Sequence, residues 1–173
     1  MKDELIKILI NVNDWLKFAE AKSAGLVVFN SASIFGVMQA FPSENTLVFF
    51  KWLIVFLFGL SICISIYTFL PVLNKTFTYQ KYEDAKFELE KNNLNCYFFN
   101  HHSKINCKQL LALLKFKSNS PSHTFTDIDT DIGDQIINNA EIAVSKFRLF
   151  SWAAYITFAA VVIGLILIII KAV

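Results

Sequence analysis

Cys96, His101, His102 and Cys107 stand within twelve positions of one another, and their types could hold a metal or supply a nucleophile. Their spacing argues against both. Adjacent histidines point apart, the two cysteines form no CxxC, and the four-ligand set of a structural zinc site is missing, so no metal is expected. The third cysteine, Cys63, lies in an apolar run, and all three read as inert thiols in a reducing compartment. Asp127, Asp129, Asp131 and Asp134 resemble a cation site in composition only. They lack the glycine and closing glutamate of a calcium loop, and acids in a first helical turn oppose the positive end of the helix dipole. The five glycines build neither a GxGxxG nor a P-loop. With no catalytic set legible, the chain is expected not to be an enzyme.

Recognition is the remaining chemistry. Tyr97, Phe99, His101, His102 and Lys104 offer stacking faces and anion contacts, which a nucleotide asks of a site. The competing structural reading is that these aromatics cap a membrane-proximal core. The surrounding segment is too short, and too helical in pattern, for a β-roll of the common cyclic-nucleotide type.

The elements that must carry these residues are membrane elements. The 173 residues are 55% hydrophobic and 17% charged, too apolar for an ordinary soluble domain. The net charge of +2 excludes the cationic field that draws nucleic acid, which is not expected as a partner. Residues 1–22 form an amphipathic helix, with Leu5, Ile8, Leu9, Val12, Trp15, Leu16 and Ala19 on one side and Lys7, Asn11, Asp14 and Lys17 on the other. Residues 23–41 carry no charge and just reach the length that crosses a hydrocarbon core of about 30 Å. One continuous helix through both segments is the simpler expectation. A tight connection over 41–46 leads to a second span, 46–73, whose only charge before residue 71, Lys51, is expected to snorkel to the headgroups. Residues 74–91 read as a helix continuing that span, 105–117 as a further helix, and 118–126 as a loop. The last helix begins at the aspartates, carries an apolar stripe of Ile128, Ile132, Ile136 and Ala140, and enters a third span, 147–171, with Trp152 and Tyr155 at its interfacial belt. The fold class is therefore all-α: a membrane protein of three transmembrane helices, with long cytoplasmic helical extensions and a small helical cytoplasmic domain, 74–146.

Four lysines precede the first span, nine basic residues lie between the second and third with Arg148 at the very start of the third as a tenth, none lies in the first hairpin and Lys171 alone marks the far end of the third. The positive-inside rule then puts the N-terminus and 74–146 in the cytoplasm and the C-terminus outside. The N-terminus lacks the pattern of a removable signal peptide. Within the first span Gly25, Ala32 and Gly36 fall on one side, where another backbone can approach closely, and Ser23, Asn30 and Ser33 gather with Val37 on a different side. The polar side reads either as helix-to-helix glue or as the lining of a hydrated path once protomers assemble.

Two passages carry a family likeness. The run from Asn13 through Trp15, Phe18, Ala19, Glu20, Lys22 and Ser23 to Gly25 resembles the entry into the first span of the bacterial Pycsar transmembrane effectors (PycTM), where an acid-x-Lys-small pattern follows Phe-Ala. The run from Asp131 to Ala143, then Lys146, Phe147 and Arg148, is similar to that family's helix into its last span. Tyr97, Phe98 and Phe99 stand where the family has an aromatic pair. The family commonly has aspartate at the place of Glu20 and glycine at that of Asn100. The resemblance implies a homo-oligomeric anti-phage effector of the bacterial inner membrane, partnered by a pyrimidine nucleotide cyclase. Cyclic CMP or cyclic UMP would be its regulatory ligand, with no other cofactor, and loss of inner-membrane integrity would cause abortive infection. The rival expectation, from a different class, is a membrane-anchored structural or adaptor protein that recruits a soluble partner without permeabilising the bilayer.

Overall fold

The computed structural model describes residues 1–40, 48–70 and 81–172, with side chains described to residue 170. Six helices are present among the described residues: α1 (Lys2–Ala40), α2 (Val48–Tyr67), α3 (Asp84–Glu90), α4 (Phe99–His102), α5 (Cys107–Lys117) and α6 (Asp127–Ala172). No strand occurs among them. Three stretches are long and apolar enough to cross a membrane: Lys2–Ala40, Val48–Tyr67 and Asp127–Ile170. The chain is an all-α membrane protein.

It divides into two compact units. Unit 1 comprises Met1–Phe18 and Val72–Lys146; unit 2 comprises Ala19–Pro71 and Phe147–Val173. Both α1 and α6 run without a break through residues of both units, as the absence of a proline or turn signal in either predicts.

Unit 1 has an ordinary water-soluble core of Leu5, Ile8, Val12, Phe87, Ile105, Leu110, Leu113, Ile136 and Ala140, all buried. Of the predicted α1 stripe Leu5, Ile8, Val12 and Ala19 are buried and Leu9, Trp15 and Leu16 half-buried; in the α6 stripe Ile128 is 58% exposed, Ile132 half-buried, and Ile136 and Ala140 buried. Local polar chemistry fixes the helix starts. At α5 the Asn106 side chain accepts from the Gln109 N–H at 2.9 Å and the Gln109 side chain accepts from the Asn106 N–H at 3.1 Å, a reciprocal capping box. The Gln109 amide then donates to Tyr82 O and Asp84 Oδ1, tying α5 to the entry of α3. At α6 one Asp129 oxygen accepts from both the N–H and the hydroxyl of Thr126 at 2.9 Å. Those two donors hold its carboxyl below the ordinary carboxylate range. The aspartates therefore start a helix. Asn119, at φ 51°, adopts the left-handed conformation that closes α5, with the Ser120 N–H donating back to Lys115 O.

The helix expected over 74–91 is shorter than its pattern. Residues 81–83 are not helical, because the Tyr82 N–H is spent on Lys104 O at 2.7 Å and Glu83 is extended, so the described helix begins at Asp84. Residues 74–80, the connection 41–46 and the edges 46–47 and 71–73 of the second span lie outside the described residues.

Unit 2 inverts the usual distribution. Phe35, Phe49, Phe56, Tyr155 and Phe158 are 64–72% exposed, the surface that a bilayer solvates. Ser23, Asn30, Ser61 and Ser65 are fully buried. Lys51 does not snorkel outward: it is 4% exposed and lies on the inner face of α2 with Ile54, Phe58, Ser61 and Ser65. Repetition at three and four residues places all five on one helical face, and the interior is where a charge avoids lipid.

Candidate functional site

In unit 1 the five candidate ligand residues sit on and beside α4, and they divide by exposure. Phe99 is 8% exposed and its ring lies 5.2 Å from that of Trp15 and 5.3 Å from that of Phe98. His102 is fully buried, and its Nε2 lies 3.0 Å from Cys96 O; a carbonyl only accepts, so Nε2 carries the hydrogen. Its Nδ1 has no partner among the described residues, and burial pushes its pKa down to about 4, which keeps the ring neutral. Both residues are turned into the core. Tyr97 is exposed, its hydroxyl donating to Glu4 Oε2 at 2.6 Å, while His101 is half-buried and its Nδ1 accepts from the Asn95 N–H at 2.8 Å. Burial lowers the His101 pKa, and the nearby Lys104 ammonium lowers it further. Lys104 is half-buried.

Aromatic contacts link this turn to α1. The chain of rings runs His101, Phe98, Phe99, Trp15 and Phe18, with neighbouring centroids 5.1, 5.3, 5.2 and 6.0 Å apart. At its α1 end a shallow concavity of about 290 Å³ is lined by Asn11, Asp14, Trp15 and Phe18. Asn11 Oδ1 is buried without a hydrogen-bond partner among the described residues. The sequence pointed to Trp15 and Phe18 only as motif residues and overlooked Asn11. Helical spacing could have found it, since Asn11 lies one turn before both Asp14 and Trp15.

Lys81 was also missed as a site-forming residue. Its ammonium pairs with Glu141 of α6 and donates to Ser103 O at 3.1 Å, fixing the end of α4. Among the described residues no group of three or more His, Cys, Asp or Glu side chains converges in a way that could hold a metal. Cys107 is buried, which drives its thiol up to about 11, and its Sγ donates to Thr130 O at 3.4 Å.

In unit 2 the polar residues of the first span separate. Asn30 Nδ2 donates to Ser61 Oγ at 2.8 Å, and Thr157 Oγ1 donates to Asn30 Oδ1 at 3.0 Å. Ser61 Oγ donates in turn to Ala153 O at 2.9 Å. One buried cluster thus joins α1, α2 and α6. Ser23 is buried too, two turns before Asn30 on the same helical face, but Ser33 is not with them. Its hydroxyl donates to Phe29 O at 2.9 Å, and it lines an open apolar groove of about 310 Å³ beside Gly36 and Val37. Gly25, Ala32 and Gly36 are exposed, and a Cβ at either glycine would meet nothing within 4 Å among the described residues. The close approach expected there is therefore not made by a described helix of this chain. Glu20 is half-buried at the start of unit 2, and the Lys22 ammonium lies 5.9 and 5.6 Å from the Phe147 and Phe150 ring centroids. The partners of Asn30 escaped the sequence because serine and threonine within an apolar run carry no sign of which helix they face.

Comparison with known proteins gives one finding. The model of the Pycsar effector protein domain, PycTM, matches residues 4–171. No curated protein matches, and no solved structure matches.

Proposed function

The chain belongs to the Pycsar effector family, and from that premise we propose that it senses cyclic CMP or cyclic UMP through unit 1 and impairs the integrity of the inner membrane through unit 2, causing abortive infection. Membership supports the anti-phage effector role, and the spans support action at the bilayer. In this reading a pyrimidine nucleotide cyclase supplies the ligand, the protein works as a homo-oligomer, and unit 1 faces the cytoplasm, a placement that the lysine and arginine distribution supports.

The observation that carries the reading is the continuity of α1 and α6. Each supplies core residues to both units, so a ligand that shifts either helix in unit 1 acts on the same helix in unit 2. The ligand surface follows the exposed Tyr97, Phe98 and Phe18 with the half-buried His101 and Trp15, while Phe99 and His102 support it from beneath. The experiment uses Trp15 as the reporter. With Trp52 and Trp152 changed to phenylalanine, cyclic CMP or cyclic UMP should alter the remaining tryptophan emission saturably, and cyclic AMP should not. Unchanged emission, together with no thermal shift, sinks the sensing step.

The adaptor reading keeps one observation in its favour, the exposure of Ile10 (55%) and Leu89 (80%) on unit 1. Stoichiometric co-purification of a soluble protein with the intact chain, without ion leakage, would select it.

A further inference from the structure

The interior of unit 2 is polar towards one end and apolar beyond it, with the buried Lys51 of α2 one turn past the apolar stretch. Starting from the end marked by Ala19 and Phe147, the inward residues are Ser23 of α1, Ser65 of α2 and Thr68 in the turn after it, followed by the Asn30, Ser61 and Thr157 cluster. One helical turn further, about 4.5–6 Å on, the character changes. Ile54 and Phe58 of α2 pack with Ala160 and Leu167 of α6, and Ile34 and Val37 of α1 close over them.

Serine hydroxyls in such helices have a ready internal partner in the preceding turn's carbonyl. Ser31, Ser33 and Ser151 use it, donating at 2.8, 2.9 and 2.9 Å to Val27, Phe29 and Phe147. Ser23 and Ser65 do not. Both are 0% exposed, and neither Oγ has a hydrogen-bond partner among the described residues. A buried hydroxyl in a membrane protein left without a partner is costly, and a polar interior with open hydrogen-bonding groups is what water enters. Helix packing alone asks for none of this, because small apolar residues would pack as closely.

We propose that the interior of unit 2 is a path for water and small ions, hydrated from the Ala19 and Phe147 end as far as Asn30, Ser61 and Thr157 and sealed by the Ile54, Phe58, Ala160 and Leu167 plug. The path lies between α1, α2 and α6 of one chain, and at the plug Ile54, Phe58 and Ala160 also line the open apolar groove that Gly36 and Val37 border. Hydrophobic constrictions hold pores closed by excluding water, and they open when widened or made polar. This inference rests on the reading that the chain permeabilises the membrane, and it names where the breach occurs.

The test omits nucleotide, so it fails independently of the sensing step. Full-length protein is reconstituted into vesicles of phosphatidylethanolamine and phosphatidylglycerol, and dissipation of an imposed proton gradient is followed with an entrapped pH dye. Ile54→Ser and Phe58→Ala should each leak at least tenfold faster than the unaltered chain. Phe56→Ser, on the 64% exposed side of the same helix, should leave the rate unchanged. A rate equal to the unaltered chain's in both plug variants overturns the proposal, as does an equal increase from Phe56→Ser. Labelling covers variants that fail to fold. With Cys63 replaced by alanine, Ser65→Cys should react with a charged, water-soluble thiol reagent and Ala160→Cys should not. Resistance at Ser65→Cys, or equal labelling at both positions, also overturns it.

Discussion

In unit 1 the fully buried side chains include Leu5, Ile8, Ile105, Leu110 and Ile136; in unit 2 they include Asn30, Ser23, Ser61 and Thr68, while Phe35, Tyr155 and Phe158 face outward. The same two helices, α1 and α6, supply both patterns. Water drives the first arrangement, since apolar burial is its dominant favourable term. Lipid offers no such drive, so unit 2 is held by packing and by hydrogen bonds of modest net value. The contrast suits an effector: unit 1 resists disruption, while the central polar cluster of unit 2 can be exchanged at small cost.

Removing a buried polar partner should therefore cost much in unit 1 and little in unit 2. The largest effect is expected at Lys81. Glu141 is 7% exposed, and Lys81→Met takes an ammonium away from that buried carboxylate, with an expected loss of about 3 kcal/mol in thermal unfolding of the detergent-solubilised protein. Lys7→Met, at the exposed Glu4 pair, should cost about 0.5 kcal/mol or less. Equal losses would remove the distinction between buried and exposed charge in unit 1.

Acid should act through His102. Its folded-state pKa of about 4 lies below the 6.5 of a free imidazole, so the unfolded chain binds the proton more readily. Stability attributable to this group is full above pH 6.5 and falls as pH drops toward about 4, a loss on the order of 3 kcal/mol. His102→Gln should flatten that part of the profile between the two pH values, and an unchanged slope would show that the ring is not held neutral.

Packing comes next. A Cβ on Gly133 would stand 2.6 Å from Cys107 Sγ, so Gly133→Ala should destabilise unit 1 by about 1–3 kcal/mol. Adding Cys107→Ala should recover most of the loss; failure to recover would place the strain elsewhere. Among the buried positions the smallest effect belongs to unit 2. Asn30→Leu, which removes the bonds to Ser61 and Thr157, should cost only about 1 kcal/mol. A loss as large as that at Lys81 would erase the contrast between the units.

The sequence made the three spans, the unbroken first and last helices and the inward stripe of Leu5, Ile8 and Val12 legible, because hydrophobic period and span length are properties of single segments. It misjudged residues 81–83 and Ile128, where a distant carbonyl (Lys104 O) and the onset of α5 packing decide the outcome. The site was half legible for the same reason. Aromatic and histidine types drew attention to 97–104, but only tertiary packing turns Phe99 and His102 inward and sets Trp15 against Phe99. Asn30 stood out in its span, whereas Ser61 and Thr157 became meaningful only with their bonds to it.

The most direct measurement of the central claim is the membrane potential of vesicles carrying the purified full-length chain, with a potassium diffusion potential imposed before ligand is added. Cyclic CMP or cyclic UMP should collapse the potential within the mixing experiment, and cyclic AMP should leave it standing. A potential that persists with both pyrimidine nucleotides present would contradict the account.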